Sequence, residues 1–506
     1  MEEEDKKRSA IVPIITMFFM FAMISFVTNM AAPFGNIWKK EYTWDVGMLG
    51  NLMNFLAYLI MGIPAGKLMA RIGYKKTALW ALAVGFCGIV VQYLSSLFGG
   101  DVATFNVAGA PVMLNFLIYL LGAFICGFCV CMLNTVVNPM LNTLGGGGNR
   151  GNQLIQTGGT LNSLSGTLTP FLVGALIGTV TKRTSMSDVA PLLFIAMGIF
   201  ALAFIIILFV HIPEPNRERK EEGEKDAHSA WSFRHLVLGV VAIFFYVGVE
   251  VGIPAELNFY LSDVGSAGAG ILVNGALIGG AFAATYWLCM LIGRFLSSLI
   301  SGKISTRTQL TAVSVLGIVL IVAAIIIPKT TTINAPGFIY NPEKKTVGIL
   351  VDNGIDADVA KAYIADPRSE IIEPYLSDLA ESFNVNAEES GDGLSAVLME
   401  KLNQSMQVPQ IPLSVIFLIL CGLCTSLMWG GIFNLSVEGL GKYTEQASGI
   451  FMMMVVGGGV MPLLQDLLAG AIGYMGSYWL VVAMLAYILF YALIGSKNVN
   501  SDIPTE

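Results

Sequence analysis

VAPLLFIAMGIFALAFIIILFV (189–210) runs without a single charge and gives way to HIPEPNRERKEEGEKDAHSAWSFRH (211–235), which is almost wholly polar. LVLGVVAIFFYVGVEVGIPAELNFYL (236–261) then follows. A helix crossing the roughly 30 Å of bilayer hydrocarbon needs about 20 apolar residues. These runs therefore read as two membrane helices joined by an aqueous linker. Working outward from that linker, the pattern repeats. Spans are expected at 10–33, 46–70, 76–97, 113–143, 152–179 and 189–212 before it, and at 234–261, 269–302, 308–328, 411–435, 444–472 and 476–496 after it. The linker divides twelve spans six and six.

Composition agrees. Charged residues make up only 12% of the chain, against about 25% in soluble domains, and the mean hydropathy is +0.71. The 55 glycines suit helices that pack closely in lipid. The expected fold is all-α and integral to the membrane, with two six-helix pseudo-repeat bundles. Its parts are a first bundle at 1–210, a linker at 211–233, the first part of a second bundle at 234–328, an extracytoplasmic insertion at 329–410 and the rest of the second bundle at 411–506. MEEEDKKRSAIVPIITMFF (1–19) lacks a small-residue cleavage site, and its apolar run is too long for a signal peptide. It is expected to stay as the first helix.

Orientation follows from Lys and Arg in short loops. With the N-terminus in the cytoplasm, 18 of them fall on the cytoplasmic side, counting Arg294 near the end of span eight; only Lys39, Lys40, Lys182 and Arg183 fall in short loops opposite. Both termini are thus expected in the cytoplasm, with the chain in a cytoplasmic membrane. The segment 329–411 holds 13 acidic and six basic residues and so carries the whole net charge of -7. No basic stripe for nucleic acid exists. Within this segment 357–366 and 369–384 have helical spacing, TVGILVD (346–352) reads as a short strand, and a small ordered cap is expected. Asp352, Asp356 and Asp358 do not meet the calcium-loop pattern. The seven cysteines all lie in apolar runs, so packing is favoured over a disulfide or a metal site, and no cofactor is expected.

The halves echo one another. TPFLVGALIG (169–178) and MPLLQDLLAG (461–470) align their Pro and last Gly, as internal repeats in transporters do. Polar residues at membrane depth are costly unless they face a cavity or a partner, and here they cluster. Asn29, Asn134, Asn138, Gln156, Asn162, Asn258, Tyr286, Trp287, Trp429 and Asn434 are the candidate substrate-binding residues, accompanied in span seven by Tyr246, Glu250 and Glu256. Amides and hydroxyls can both donate to and accept from sugar hydroxyls, while an aromatic face covers the C–H side. The bland reading is that the amides tie helices together. Glu250, about sixteen residues into span seven at roughly 1.5 Å each, should lie near the midplane. It is a candidate proton carrier, or else an acceptor paired to another helix.

PAGKLMARIGYKK (64–76) resembles the loop signature of the major facilitator superfamily, with Gly66, Arg71, Gly73 and Lys75 in the gating positions and Ala70 where an acid usually stands. FFYVGVEVGI (244–253), YWLCMLIGRF (286–295), SLMWGGIFNLSVEGLGKYTEQASG (426–449) and NTVVNPMLNTLG (134–145) resemble the fucose:proton symporter family and its glucose/galactose branch. So does Gln156 followed by LNSLSG (161–166). Arg294 falls in the second of these motifs and is assigned to gating with the first loop. The resemblance implies a monosaccharide permease, with protons as candidate co-substrate, that works as a monomer in the lipid bilayer. The acidic positions that carry protonation in that family fall on Asn29 and Asn134, which cannot take up a proton. Gly430 and Gly431 replace its Pro-Thr, and Asp466 replaces a Gly.

Two other classes compete with a transporter. One is a multi-span enzyme of the glycosyltransferase type using the insertion, and the other is a sugar sensor derived from a transporter. No catalytic residue is assigned, because the three histidines all lie at 211, 228 and 235 in the linker and no acid pair faces the outer surface.

Overall fold

The computed structural model describes residues 2–41, 49–107, 110–177, 186–187, 189–214, 228–263, 265, 267–271, 275–366, 372–375, 379, 394–500 and 503–504. Among these, eleven helical stretches are long and apolar enough to cross a membrane. The first half holds α1 (Glu2–Glu41), α2 (Leu49–Ile72), α3 (Tyr74–Leu94), α4 (Leu114–Leu144), α5 (Gly148–Ile177) and α6 (Ala190–Phe209). α5 has 30 residues and is not one of the eleven. Asn152, Gln153, Gln156, Thr160 and Asn162 lie in its first half, and Gln153, Gln156 and Asn162 bond to other spans. After α6 the second half opens with α7 (Arg234–Ser262), α8 (Gly275–Ile300) and α9 (Thr306–Ile326). A two-stranded hairpin, β1 (Ala103–Val107) with β2 (Ala110–Met113), joins α3 to α4 and was not expected from the sequence.

The segment after α9 is a small folded cap. β3 (Thr332–Asn334) leads into it and β4 (Gln410–Pro412) leads out, and the two pair antiparallel. Between them lie α10 (Pro342–Asp352), α11 (Ala357–Ala365) and α12 (Leu394–Met406). Their inward faces make a core of their own, with Leu350, Ile355, Tyr363, Ile372, Leu398 and Leu402 all buried. The short strand expected at 346–352 is instead helix α10. Asn341 caps it by accepting from Lys344 N at 2.9 Å, Pro342 occupies the first turn, and these start signals override the β-branched residues that follow. α11 matches the expected helix and is capped by Asp356. Most of the helix expected at 369–384 lies outside the described residues, and α12 was not anticipated.

The tenth and eleventh spans, expected to be continuous, are broken. The tenth is α13 (Ser414–Thr425) followed by α14 (Met428–Val437). Thr425 and Ser426 return their hydroxyls to carbonyls three and four residues back, and Gly430-Gly431 follows; both features loosen the ladder. The eleventh is α15 (Thr444–Met453), a 3-10 turn at Met454–Val456, and α16 (Gly457–Ile472). A glycine run and Pro462 explain that interruption. α17 (Tyr474–Phe490) closes the second bundle.

The halves touch along α2, from Leu52 and Phe55 beside Gly459 to the end that carries the α2–α3 turn. There α2 packs on α15 and α5 on α8. Gly62, Gly66 and Gly449 line this approach: a Cβ on Gly62 would stand 2.5 Å from Met453 N and one on Gly66 2.8 Å from the Gly449 Cα, so only glycine lets these backbones meet. Ser448 donates to Thr135 O at 3.0 Å, and Gln153 donates to Ser298 O at 2.9 Å. Among the described residues, the hydrogen bonds between the halves all lie in this part of the molecule.

Candidate functional site

The break in the tenth span exposes backbone carbonyls in the interior, and two candidate residues take them. Gln156 Nε2 donates to Leu427 O at 2.8 Å, and Arg294 Nε donates to Ser426 O at 3.3 Å. Irregular backbone inside a membrane is stable only where such partners exist, and broken helices are how transporters present polar groups at depth.

Arg294 is the hub. Its Nη2 meets Glu250 Oε1 at 3.0 Å, and its Nη1 donates to Ser163 Oγ at 2.7 Å and to Gly159 O at 3.4 Å. The side chains are only 11% and 13% exposed for Arg294 and Glu250 respectively. The arginine thus holds a carboxylate of its own half with one hand and α5 of the other half with the other. Arg294 lies inside the bundle and bridges the halves, so it is not a loop charge, and the loop bias stands without it. For Glu250 the paired alternative is the one observed.

A second chain of contacts crosses the halves beside it. Tyr58 on α2 accepts from Asn134 Nδ2 at 2.7 Å. Asn138 donates to the Asn134 carbonyl at 2.9 Å, and its own Oδ1 accepts from Trp429 Nε1 at 3.1 Å. The Trp429 ring meets Tyr246 edge-on at 6.3 Å, and Tyr246 stands one helical turn before Glu250. Tyr58, Asn134, Asn138, Trp429, Tyr246, Glu250, Arg294 and Ser163 therefore form one belt across the interface, with Gln156 beside it. Its groups are neutral donors and acceptors flanked by an indole, apart from one internally neutralised ion pair.

Other candidates lie elsewhere. Asn162 donates to Phe21 O at 2.9 Å and ties α5 to α1. Tyr286 meets Thr425 at 2.9 Å within the second half. Asn434 donates to Thr306 Oγ1 at 3.1 Å near the start of α9, and Asn258 accepts from Ser262 towards the far end of α7. The first three tie helices together, while the Asn258 bond stays within α7. Trp287 is 40% exposed, seven residues before Arg294 and so on the same helix face. The side chain of Asn29 lies outside the described ones.

The α2–α3 turn forms a separate cluster. Gly73 has φ +89°, and the backbone N–H groups of Tyr74 and Lys75 at the start of α3 donate to Glu214 at 2.9 and 3.2 Å. An anion at a helix N-terminus is favoured by the dipole and by the free N–H groups. Lys75 Nζ donates to Leu208 O and Val210 O at the end of α6, where a cation is favoured. Arg71 is exposed. Glu214 supplies a carboxylate to the turn, although Ala70 occupies the usual acidic position. Sequence reasoning missed Glu214, Ser163 and Tyr58; the only available signal was Glu214's place just after a span, in the polar linker.

Comparisons agree with this architecture. The model of the family described as "Major Facilitator Superfamily" matches residues 16–342. A glucose/galactose transporter of Brucella abortus is 27% identical over 97% of this chain and 94% of its own length. An L-fucose-proton symporter of Escherichia coli is 21% identical over 63% of this chain and 74% of its own length. A crystal structure of the Escherichia coli fucose:proton symporter has a TM-score of 0.66 at 17% identity, covering 97% of this chain and all of that one. A structure in the outward conformation has the same score. With a family match over more than half its length, the chain belongs to the Major Facilitator Superfamily.

Proposed function

We propose that this protein is a secondary transporter that moves a monosaccharide of the glucose or galactose kind across a bacterial cytoplasmic membrane by alternating access. The observation that carries it is the Asn134–Asn138–Trp429 chain. It joins the two halves through one hydrogen bond at 3.1 Å and offers a sugar both amide groups and an indole face. The names of the Brucella and Escherichia relatives support the same substrate class. Lys and Arg bias puts the closed end, and both termini, in the cytoplasm. The chain works in the bilayer as a monomer and without a cofactor.

In this reading the present state is closed at the cytoplasmic end by the α2–α15 and α5–α8 contacts. Sugar arrives from the other side, past Trp287, and reaches Asn138 and Trp429. It competes for the hydrogen bond that now joins the halves, which loosens their grip and allows them to rock. Glu250 serves to neutralise and orient Arg294, whose contacts with Ser163 and Gly159 hold α5. Asn162, Gln156 and Tyr286 support the belt rather than touch sugar.

A thermal-shift panel on purified protein tests the substrate class. A ligand at one hundred times its Kd adds about 2.7 kcal/mol of stability. Glucose or galactose should stabilise the wild type, and Trp429→Ala should abolish the shift. Stabilisation by amino acids or cationic amphiphiles, with none by any monosaccharide, would exclude the reading.

A further inference from the structure

Glu256 is the buried acid that the belt does not use. It is 1% exposed, and neither carboxyl oxygen has a hydrogen-bond partner among the described residues. Gln465 on α16 is 0% exposed, and both its Oε1 and Nε2 also lack partners. Leaving one such group unmade costs about 1–3 kcal/mol, and more for a charge. The two residues lie on packed helices, with no hydrogen bond between them in this state. α7 packs along α16, and Gln465 Oε1 comes to 2.5 Å from where a Cβ on Gly252 would stand. Glu256 follows Gly252 by four residues, one turn further along the same face.

Among the described residues no salt bridge reaches Glu256, and Lys329 lines the recess beyond Tyr260. Asp466 on α16 and Tyr474 and Tyr478 on α17 bear on it, Tyr260 and Asp263 continue α7, and α8 contributes Tyr286 and an Arg294 already held by Glu250. Tyr478 donates to Ile253 O at 3.0 Å. A carboxylate turned to Gln465 could accept from its Nε2 but would leave Gln465 Oε1 bare. A carboxylic acid solves both problems: its O–H donates to Gln465 Oε1 while Gln465 Nε2 donates to its carbonyl oxygen. One proton would satisfy four orphaned atoms.

Water has a route. A recess of about 290 Å³ is lined by Tyr260, Lys329, Gly473 and Tyr474 at the end of the bundle away from the closed gate. Tyr260 stands one turn beyond Glu256, and its hydroxyl also lacks a partner.

We propose that Glu256 and Gln465 form the proton-binding site that couples transport, loaded through this recess and separate from the sugar belt. This rests on the transport reading above. The proton comes from a hydronium ion, which becomes water, and forms the O–H bond of Glu256. That bond breaks, returning the proton to water, in the opposite state. Asn29 and Asn134 need then carry no proton, and Glu250 can stay with Arg294.

The test compares proteoliposomes of wild type and Glu256→Gln, whose amide mimics the protonated acid. Sugar addition should alkalinise the outer medium for wild type, and the proton signal per sugar exchanged should fall at least tenfold in the variant. Infrared difference spectra of the purified protein between acid and alkaline buffer should show a carboxylic carbonyl band that the variant lacks. A full proton signal in Glu256→Gln would overturn the proposal. So would a wild type that exchanges sugar with no proton signal, or one driven by sodium alone. If no sugar is exchanged at all, the transport reading fails, and the infrared band alone decides whether Glu256 binds a proton.

Discussion

Removing either partner of the Glu250–Arg294 pair should be far worse than removing both. At 3.0 Å, two unit charges attract by about 5–6 kcal/mol at an effective dielectric of about 20. Burial offsets most of that gain, so the intact pair adds little net stability, whereas stranding one charge costs about 3–5 kcal/mol. The surroundings rank the two single variants. Glu250→Gln leaves Arg294 its bonds to Ser163 Oγ, Ser426 O and Gly159 O, so the loss should sit near ~3 kcal/mol. Arg294→Met leaves Glu250 without its cation, and the loss should approach ~5 kcal/mol. The double variant exchanges a charged pair for neutral groups and should recover to within about 1–2 kcal/mol of wild type. Reversible unfolding in mixed micelles, followed by tryptophan fluorescence, measures all four corners of the cycle. Losses that simply add would refute the idea that these two charges are held for one another.

Three further outcomes follow from the geometry. Gly449→Leu puts a Cβ 2.6 Å from Gly62 O and 2.7 Å from the Gly66 Cα on α2, so transport should be lost while folded protein remains, and cysteines placed at the closed end should become labelled; unchanged transport would mean that α2 and α15 are not a gate. Trp429→Phe leaves the buried Asn138 Oδ1 without its donor, a cost of about 1–3 kcal/mol, and sugar Kd should change by about tenfold or more; titration by intrinsic fluorescence checks this, and an unaltered Kd would remove Trp429 from the site. Since β3 and β4 are paired and Leu413 N donates to Thr331 O at 2.8 Å, replacing 335–409 with a short Gly-rich turn should leave a folded, membrane-inserted protein; aggregation on size-exclusion chromatography would show that the cap supports the bundle.

The fold was readable in the sequence because bilayer thickness sets helix length directly. Spans such as α3 and α6 could be bounded to within a few residues from apolar runs alone. The breaks in spans ten and eleven were not, since Thr425, Ser426 and Pro462 weaken a helix only when a neighbour such as Gln156 or Arg294 takes the freed carbonyl. The cap was readable as an insertion by its acidity, but α10 was misjudged because an Asn-Pro start outweighed local β propensity. At the site, burial of polar residues was legible while their partners were not. Asn138 and Trp429 lie 291 residues apart and Glu250 and Arg294 44 apart, so only the packing of helices reveals those pairs. Asn434 and Asn258 looked like the others in sequence, yet Asn434 ties helices together and Asn258 bonds within α7.

Counterflow tests the central claim most directly. Proteoliposomes preloaded with unlabelled glucose or galactose are diluted into a trace of the radiolabelled sugar, with no ion gradient. A carrier that alternates access should accumulate label transiently above equilibrium, and Trp429→Ala should abolish the overshoot. Monotonic entry at the rate of empty liposomes for every monosaccharide would contradict sugar transport by this protein.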